Sequence, residues 1–399
     1  MRLFITSGLA LFFIFNSLHV SPVFAAQTTK DWTFLIFLNG KNNLDPDGLM
    51  NLEQMEKVGS NDHVNIVVEW GSTQNGEVQR LLIQPGSDSS QVTSPVLQHM
   101  GKVDMGDYQA LVDFIQWGVQ NYPAQHYMID VWDHGSGWHN VTTRAHLGML
   151  DISFDDDTGH SISTADLGKA MQAAAAVIGH KVDIYGSDAC LMAMAEIADE
   201  MADSVSVFVG SEETEPEQGW PYTDFLSYLS QNPSASPLDV GKQLAQDYLQ
   251  AYSGGVYGKG DVTFSAFDLS KIQVLKDAVA GLGKKLGSTN QASQIVAAIG
   301  SSQNFKDSPD YVDLGDFVNQ LGKKRIAGIS DEDLSPVRLA VSEFVASNQV
   351  SSKFQRARGV SIWLPADQAT FSKYSTTYQG LKFADTGWGA FLSGLLGGN

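Results

Sequence analysis

The chain has 399 residues, 43% of them hydrophobic, with a formal net charge of -20 at pH 7. That apolar share supports a large core and excludes a disordered or membrane-embedded chain. An excess of 45 acidic over 25 basic residues argues against nucleic acid as a partner, because phosphate neutralisation needs a basic face.

Met1 to Asn16 carries one positive charge and then an apolar run too short to span a bilayer. Val23 and Ala25 place small residues at a cleavage site, so residues 1–25 are predicted to be a signal peptide and the chain to be secreted or periplasmic, with no membrane span. No cysteine stands near that site, which excludes a lipoprotein anchor. The run from Trp32 to Leu38 reads as a buried strand ended by Asn39-Gly-Lys-Asn-Asn43. A short helix is expected over Leu49 to Val58 and a second buried strand over Val64 to Trp70, followed by a polar hairpin-like region ending near His99. Leu111, Phe114, Ile115 and Val119 share one face of a helix from Tyr108, which Pro123 stops.

A third strand is expected from Tyr127 to Trp132. A helix capped by Ser163 or Thr164 then closes at Gly179. A fourth strand runs from Val182 to Tyr185, a fifth from Val205 to Val209, and Gly210 to Tyr222 forms a long acidic loop. Strands separated by helical patterns imply a mostly parallel sheet flanked by helices on both faces. Beyond a sixth strand, Val262 to Phe267, the pattern is mixed, with helices over Lys271–Leu286 and Leu314–Leu321 and a late strand over Gly359–Leu364. With no repeat or linker to mark a division, a soft boundary near Ser270 separates a catalytic domain, residues 26–270, from a packed α/β extension, residues 271–399.

Cys190 is the only cysteine. It is expected in a strand, short turn and helix, a position that favours the thiolate, and an exported protein leaves it no disulfide partner within the chain. His134 ends the preceding strand in Asp133-His-Gly-Ser-Gly-Trp138. Ends of neighbouring strands are where α/β sheets gather reactive groups. Buried lone cysteines are often inert, and a histidine between Asp and Gly can be a turn residue; the two together favour chemistry.

Asp133 to Trp138, Asp188-Ala-Cys-Leu-Met192, Gly210-Ser-Glu-Glu-Thr-Glu-Pro216 with Gly219-Trp-Pro-Tyr222, Tyr311 to Phe317 and Arg358 to Trp363 resemble the clostripain family of cysteine peptidases. The motifs keep order over most of the mature chain. The resemblance implies a caspase-like α/β fold, a His134 and Cys190 dyad, protein or peptide substrates, and cleavage after basic residues read by the carboxylate at Asp188. It also implies self-processing after a basic residue in this region, for which Arg144 is the candidate.

Cys190 would attack the scissile carbonyl and form a thioester that water hydrolyses, with the Gly135 and Cys190 amides as oxyanion donors. Asp188 has two open roles: substrate pocket, or N-cap of the helix that carries Cys190. Glu212 and Glu213 are further substrate-binding candidates, although an acidic loop is more often a solvated face. Asp155-Asp-Asp157 invites a calcium reading that EF-hand spacing does not support, so calcium stays open and no metal residues are assigned. Serine-elbow, zinc and phosphate-loop patterns fail on spacing. A transpeptidase using the same dyad, and a non-catalytic binding protein on the same scaffold, are the alternatives.

Overall fold

The computed structural model describes residues 29–86, 91–139, 151–305 and 308–397. Nine strands form one sheet in the order β15-β12-β9-β8-β5-β1-β2-β3-β4. Its centre is five parallel strands: β1 (Lys30–Gly40), β2 (Val64–Ser72), β5 (Ala124–Trp132), β8 (Val182–Asp188) and β9 (Val205–Gly210). On one side β3 (Glu77–Leu82) and β4 (Val96–Gly101) extend the sheet antiparallel. On the other, β12 (Thr263–Asp268) and β15 (Val345–Val350) do the same. The region expected to be hairpin-like thus resolves into two sheet strands, and residues beyond 270 supply the far edge strand.

The apolar run in β1 is continuous because both faces of the sheet are covered. Phe34, Ile36 and Leu38 enter one core with α1 (Asp45–Glu56), α5 (Tyr222–Gln231) and α6 (Pro237–Ala251). Leu35 and Phe37 enter the opposite core with α2 (Tyr108–Asn121), α3 (Thr164–Ile178), α4 (Ala195–Met201) and α7 (Ile272–Gly287). All five β1 side chains are fully buried, each contributing about 1.5–3 kcal/mol of transfer free energy.

Local signals set most of these elements. Ser163 caps α3 by accepting from Asp166 N, and Gly179 ends it in the left-handed region, φ 89°. Asp107 caps α2. Pro46 and two first-turn aspartates start α1 at Asp45, earlier than predicted. No element is predicted over Tyr222–Ala251, yet it forms α5 and α6, the latter opened by Ser236 as N-cap with Pro237 behind it. The remaining elements are the hairpins β6 (Ile152–Asp155) with β7 (His160–Ile162), and β10 (Ser253–Gly255) with β11 (Gly258–Lys259). A three-stranded sheet of β13 (Asn304–Phe305), β14 (Ser308–Asp313) and β16 (Ser361–Trp363) follows. Helices α8 (Ala292–Ile299), α9 (Leu314–Lys324), α10 (Asp331–Phe344), α11 (Gln368–Tyr378) and α12 (Trp388–Leu396) complete the chain. Among the described residues no helix is long and apolar enough to cross a membrane.

One correction concerns the strand that leads to Cys190. No helix follows the turn at once: α4 starts only at Ala195, with Met194 as its N-cap. Between them the backbone is spent on cross-links to other loops, Leu191 N to Glu213 O at 3.2 Å, Ala193 N to Ser211 O at 2.9 Å and Ser361 N to Ala193 O at 3.1 Å. Leu191 is held at φ 65°, a conformation costly for a residue with a Cβ, which breaks any helix that would run on from Cys190.

Glu196 in α4 accepts from Trp363 N at 2.8 Å and joins α4 to β16. Full burial pushes its carboxyl up to about 8. An unfolded glutamate titrates near ~4.3, so the folded state holds this proton more tightly. The stabilisation is complete below the unfolded value and is lost as pH rises through about 8. Glu196→Gln, which stays neutral, is expected to retain about 2 kcal/mol or more at pH ~9 relative to its wild-type difference at pH ~5. Urea unfolding at the two pH values checks this; parallel losses in both proteins would refute it.

Candidate active site

Strands β5 and β8 run parallel in a register that sets Trp132 beside Asp188. The chain leaves both strands at the same sheet edge, and Asp133 N bonds Asp188 O at 3.2 Å just past it. His134 and Cys190 follow on these two neighbouring turns, both partly exposed. Gly135 packs onto the cysteine backbone so closely that a Cβ there would lie 2.5 Å from Cys190 O and 3.1 Å from Cys190 N. Gly135 also faces Ile152 in an antiparallel bridge whose bond runs from Ser136 N to Asp151 O, 2.8 Å, leaving the Gly135 amide out of that pairing.

The imidazole has a partner that no sequence motif marked. His134 Nε2 lies 2.9 Å from Asn43 Oδ1. With the amide oxygen as acceptor, Nε2 carries the proton and Nδ1 is left basic. The turn holding Asn43 is tied down by its neighbours: Asn39 and Asn42 both donate to the buried Asp133, at 3.2 and 2.6 Å. Asn39 to Asn43 reads in sequence as polar turn chemistry; only the pairing of β1 with β5 brings it to the histidine.

The loop after β9 wraps the thiol. Glu215 N donates to Cys190 Sγ at 3.2 Å, and Sγ lies 3.8 Å from Glu215 O. Asp188 is 4% exposed and caps no helix, so the N-cap alternative falls. Its Oδ2 instead accepts from Trp220 N at 3.2 Å and Tyr222 Oη at 2.8 Å. Gly219, at φ 63°, leaves room for it: a Cβ there would stand 2.9 Å from Asp188 Oδ2. Burial pushes Asp188 up to about 7, against the hydrogen bonds from Tyr222, Trp220 and Glu215. Behind it, fully buried Asp130 accepts from Asp188 N at 3.2 Å and from Tyr222 Oη at 2.9 Å.

The acidic loop is not a solvated face, and its members separate. Glu212 is fully buried against Asp313, and burial and that neighbour push its carboxyl up. Glu213 turns back onto its own loop, accepting from Thr214 N at 2.9 Å and Thr214 Oγ1 at 3.0 Å. Glu215 is the loop acid beside Asp188. Asp155, of the calcium reading, is buried and bonded to Lys41 Nζ at 2.8 Å and Met105 N at 3.0 Å. Among the described residues no three His, Cys, Asp or Glu side chains gather as metal ligands. Arg144 and the segment 1–25 lie outside the described residues.

A thiol and an imidazole on neighbouring parallel strand ends of an α/β sheet are groups a cysteine peptidase can use. The chain belongs to the clostripain family, whose sequence model matches residues 36–393, and it is a cysteine peptidase of caspase-like fold. It is 23% identical to clostripain of Hathewaya histolytica, over 86% of this chain and 76% of that protein. Two solved structures share the fold. An inactive zymogen C11 protease from Parabacteroides distasonis aligns with a TM-score of 0.68 and 19% identity over 91% of this chain and 99% of its own. A secreted C11 cysteine protease from Bacteroides thetaiotaomicron, solved with an irreversible peptide inhibitor, aligns with a TM-score of 0.66 and 18% identity, over 90% and 99%.

The closeness of Gly135 to the Cys190 backbone makes a specific demand. Gly135→Ala is expected to push the two turns apart and lower kcat/KM on any cleaved peptide by about 100-fold or more, the scale of losing an oxyanion donor. Progress curves of wild type and variant check it, and a loss below about threefold would mean the turns tolerate the added methyl group.

Proposed function

We propose that the protein is an exported endopeptidase that cleaves after Arg or Lys, with Cys190 as nucleophile and His134 as proton donor to the leaving amine. The carrying observation is the shared register of Trp132 and Asp188, after which both side chains emerge on adjacent turns. The Cys190 thiolate forms a bond to the scissile carbonyl carbon, and the charge moves to the carbonyl oxygen, held by Gly135 N and Cys190 N. Collapse of this intermediate breaks the C–N bond as His134 passes a proton to the amine. Water then adds to the thioester, the thiolate leaves, and acid product is released.

Asn43 supports the histidine in this reading as a positioning residue. Its Oδ1 keeps Nε2 protonated, so that Nδ1 exchanges a proton with the thiol. Asp188 supports the basic preference, since a guanidinium or ammonium group would supply the countercharge that its buried setting lacks. Self-processing after Arg144 is supported by its place in the chain between Ser136 and Asp151, two described residues bonded to each other beside the site, Ser136 N to Asp151 O. Export is supported by the amino-terminal pattern.

Reporter peptides differing only in the residue before the scissile bond test the main reading. Wild type is expected to cleave Arg and Lys peptides, Cys190→Ala none, and Asp188→Asn to lose at least about 100-fold in kcat/KM on basic peptides. The Cys190→Ala chain is also expected to stay intact where wild type shows a new amino terminus at Ala145. Cleavage of neutral peptides alone would remove the role of Asp188, and an active single chain would remove processing.

Asn43→Ala is expected to lower kcat about 10- to 100-fold with KM nearly unchanged, the signature of a mis-set imidazole. Asn43→Asp, which keeps the acceptor, is expected to recover part of it. An unchanged kcat in Asn43→Ala would make the contact incidental.

A further inference from the structure

Three carboxyl groups meet behind the nucleophile: Asp130 from β5, Asp188 from β8, and Glu215 from the loop after β9. Among the described residues the buried cations are committed elsewhere, Arg80 to Glu69 at 2.6 Å and Lys41 to Asp155 at 2.8 Å. Both Glu215 oxygens are shut off from solvent, and the side chains acting on them are those of Asp188 and Tyr248. The groups acting on Glu215 are acids or phenols: Asp188, Asp130, and the hydroxyl of the buried Tyr248 of α6. Tyr252, the residue that caps the end of that helix, and the Cys190 thiol adjoin the cluster, and Tyr222 of α5 closes it.

Proton counting constrains this arrangement. Tyr222 Oη sits within bonding distance of both Asp130 Oδ2, 2.9 Å, and Asp188 Oδ2, 2.8 Å, but has one proton to give. One of the two acids must therefore return a proton to it when both contacts are made. Glu215 faces Asp188, and two carboxyl groups bond only if one keeps its proton. The best-served anion is Asp188, with Trp220 N and Tyr222 as donors. Glu215, which meets the Tyr248 hydroxyl and turns its own proton to Asp188, is the acid that stays protonated; burial and the facing Asp188 and Asp130 act in the same direction.

We propose that the pocket takes up a basic side chain by proton exchange: entry of a guanidinium or ammonium group beside Asp188 ionises Glu215, and the Glu215 proton leaves to solvent. The proposal rests on Asp188 as the reader of the substrate side chain. One O–H bond breaks, one carboxylate forms, and the incoming positive charge balances it. Glu215 is then a specificity-determining residue. Its backbone touches the nucleophile while its side chain reports the charge of the substrate. A neutral side chain leaves the proton in place and binds to a site whose second acid stays silent. Cation binding favours the deprotonated form, so affinity for basic peptides rises with pH across the range in which the free site still holds the proton.

The Cys190→Ala protein, which removes the thiol titration, tests this by calorimetry in buffers of different ionisation enthalpy. A peptide with Arg at the position before the scissile bond is compared with its citrulline analogue, neutral and nearly the same shape. The Arg peptide is expected to release about one proton more than the citrulline peptide near neutral pH, with affinity rising up to about tenfold per pH unit. Adding Glu215→Gln is expected to abolish the extra release while preserving the preference for Arg over citrulline. Tighter Arg binding with no extra release, or release that survives Glu215→Gln, would overturn proton exchange and leave Asp188 as the reader. Equal binding of the two peptides would overturn the reading of Asp188 itself, and the proposal with it. The proton count on Cys190→Ala alone remains decisive if the double variant fails to fold.

Discussion

Trp132 and Asp188 occupy one register position of two parallel strands, and the site depends on that pairing. A slip by one residue would turn every side chain of β8 to the opposite face and move the Cys190 turn away from the His134 turn. Burial on both faces forbids the slip, because Ile184 belongs to one core and Tyr185 to the other. The hydrophobic energy of the sheet thus supplies the positional accuracy that the chemistry needs.

Around this fixed edge, the chain uses irregular backbone to bring parts together. Leu191 is held in a left-handed conformation, and its own amide and that of Ala193 bond to the loop after β9. That loop is itself anchored from the opposite core, by Tyr252 Oη to Gly219 O and Tyr257 Oη to Trp220 O, each at 2.9 Å. The segment that cradles the thiol therefore answers to helix α6 and the hairpin after it as well as to the sheet. Buried acids without cations oppose stability here, and their retention beside Cys190 is the trade-off expected where function needs an unsatisfied charge.

Much of this architecture was legible in local pattern. Trp32 to Leu38 could only be a strand buried on both faces, and Ser163 with Gly179 bracketed α3 at the positions where it begins and ends. The short helix over 195–201 was misplaced because Ala-Cys-Leu-Met-Ala has good helical propensity, and tertiary cross-links overrode it. Helices α5 and α6 went unmarked although Ser236, Pro237 and the spacing of Val240, Leu244 and Tyr248 carry an ordinary helix signature. Glu212, Glu213 and Glu215 looked equivalent as members of one acidic run. Their separation depends on which neighbour each meets, Asp313, Thr214 or Asp188, and those neighbours lie on different elements.

What the sequence determined by itself was the class of fold, the two strand ends that bear a histidine and the sole cysteine, and the family to which several ordered motifs belong. These follow from periodicity and from residue types, which act locally along the chain. Tertiary structure alone decided that Asp188 caps no helix, that Asn43 reaches His134, and that Glu215 is the acid beside Asp188. Each is a contact across large sequence separation, set by strand register and loop packing, and no local preference encodes it.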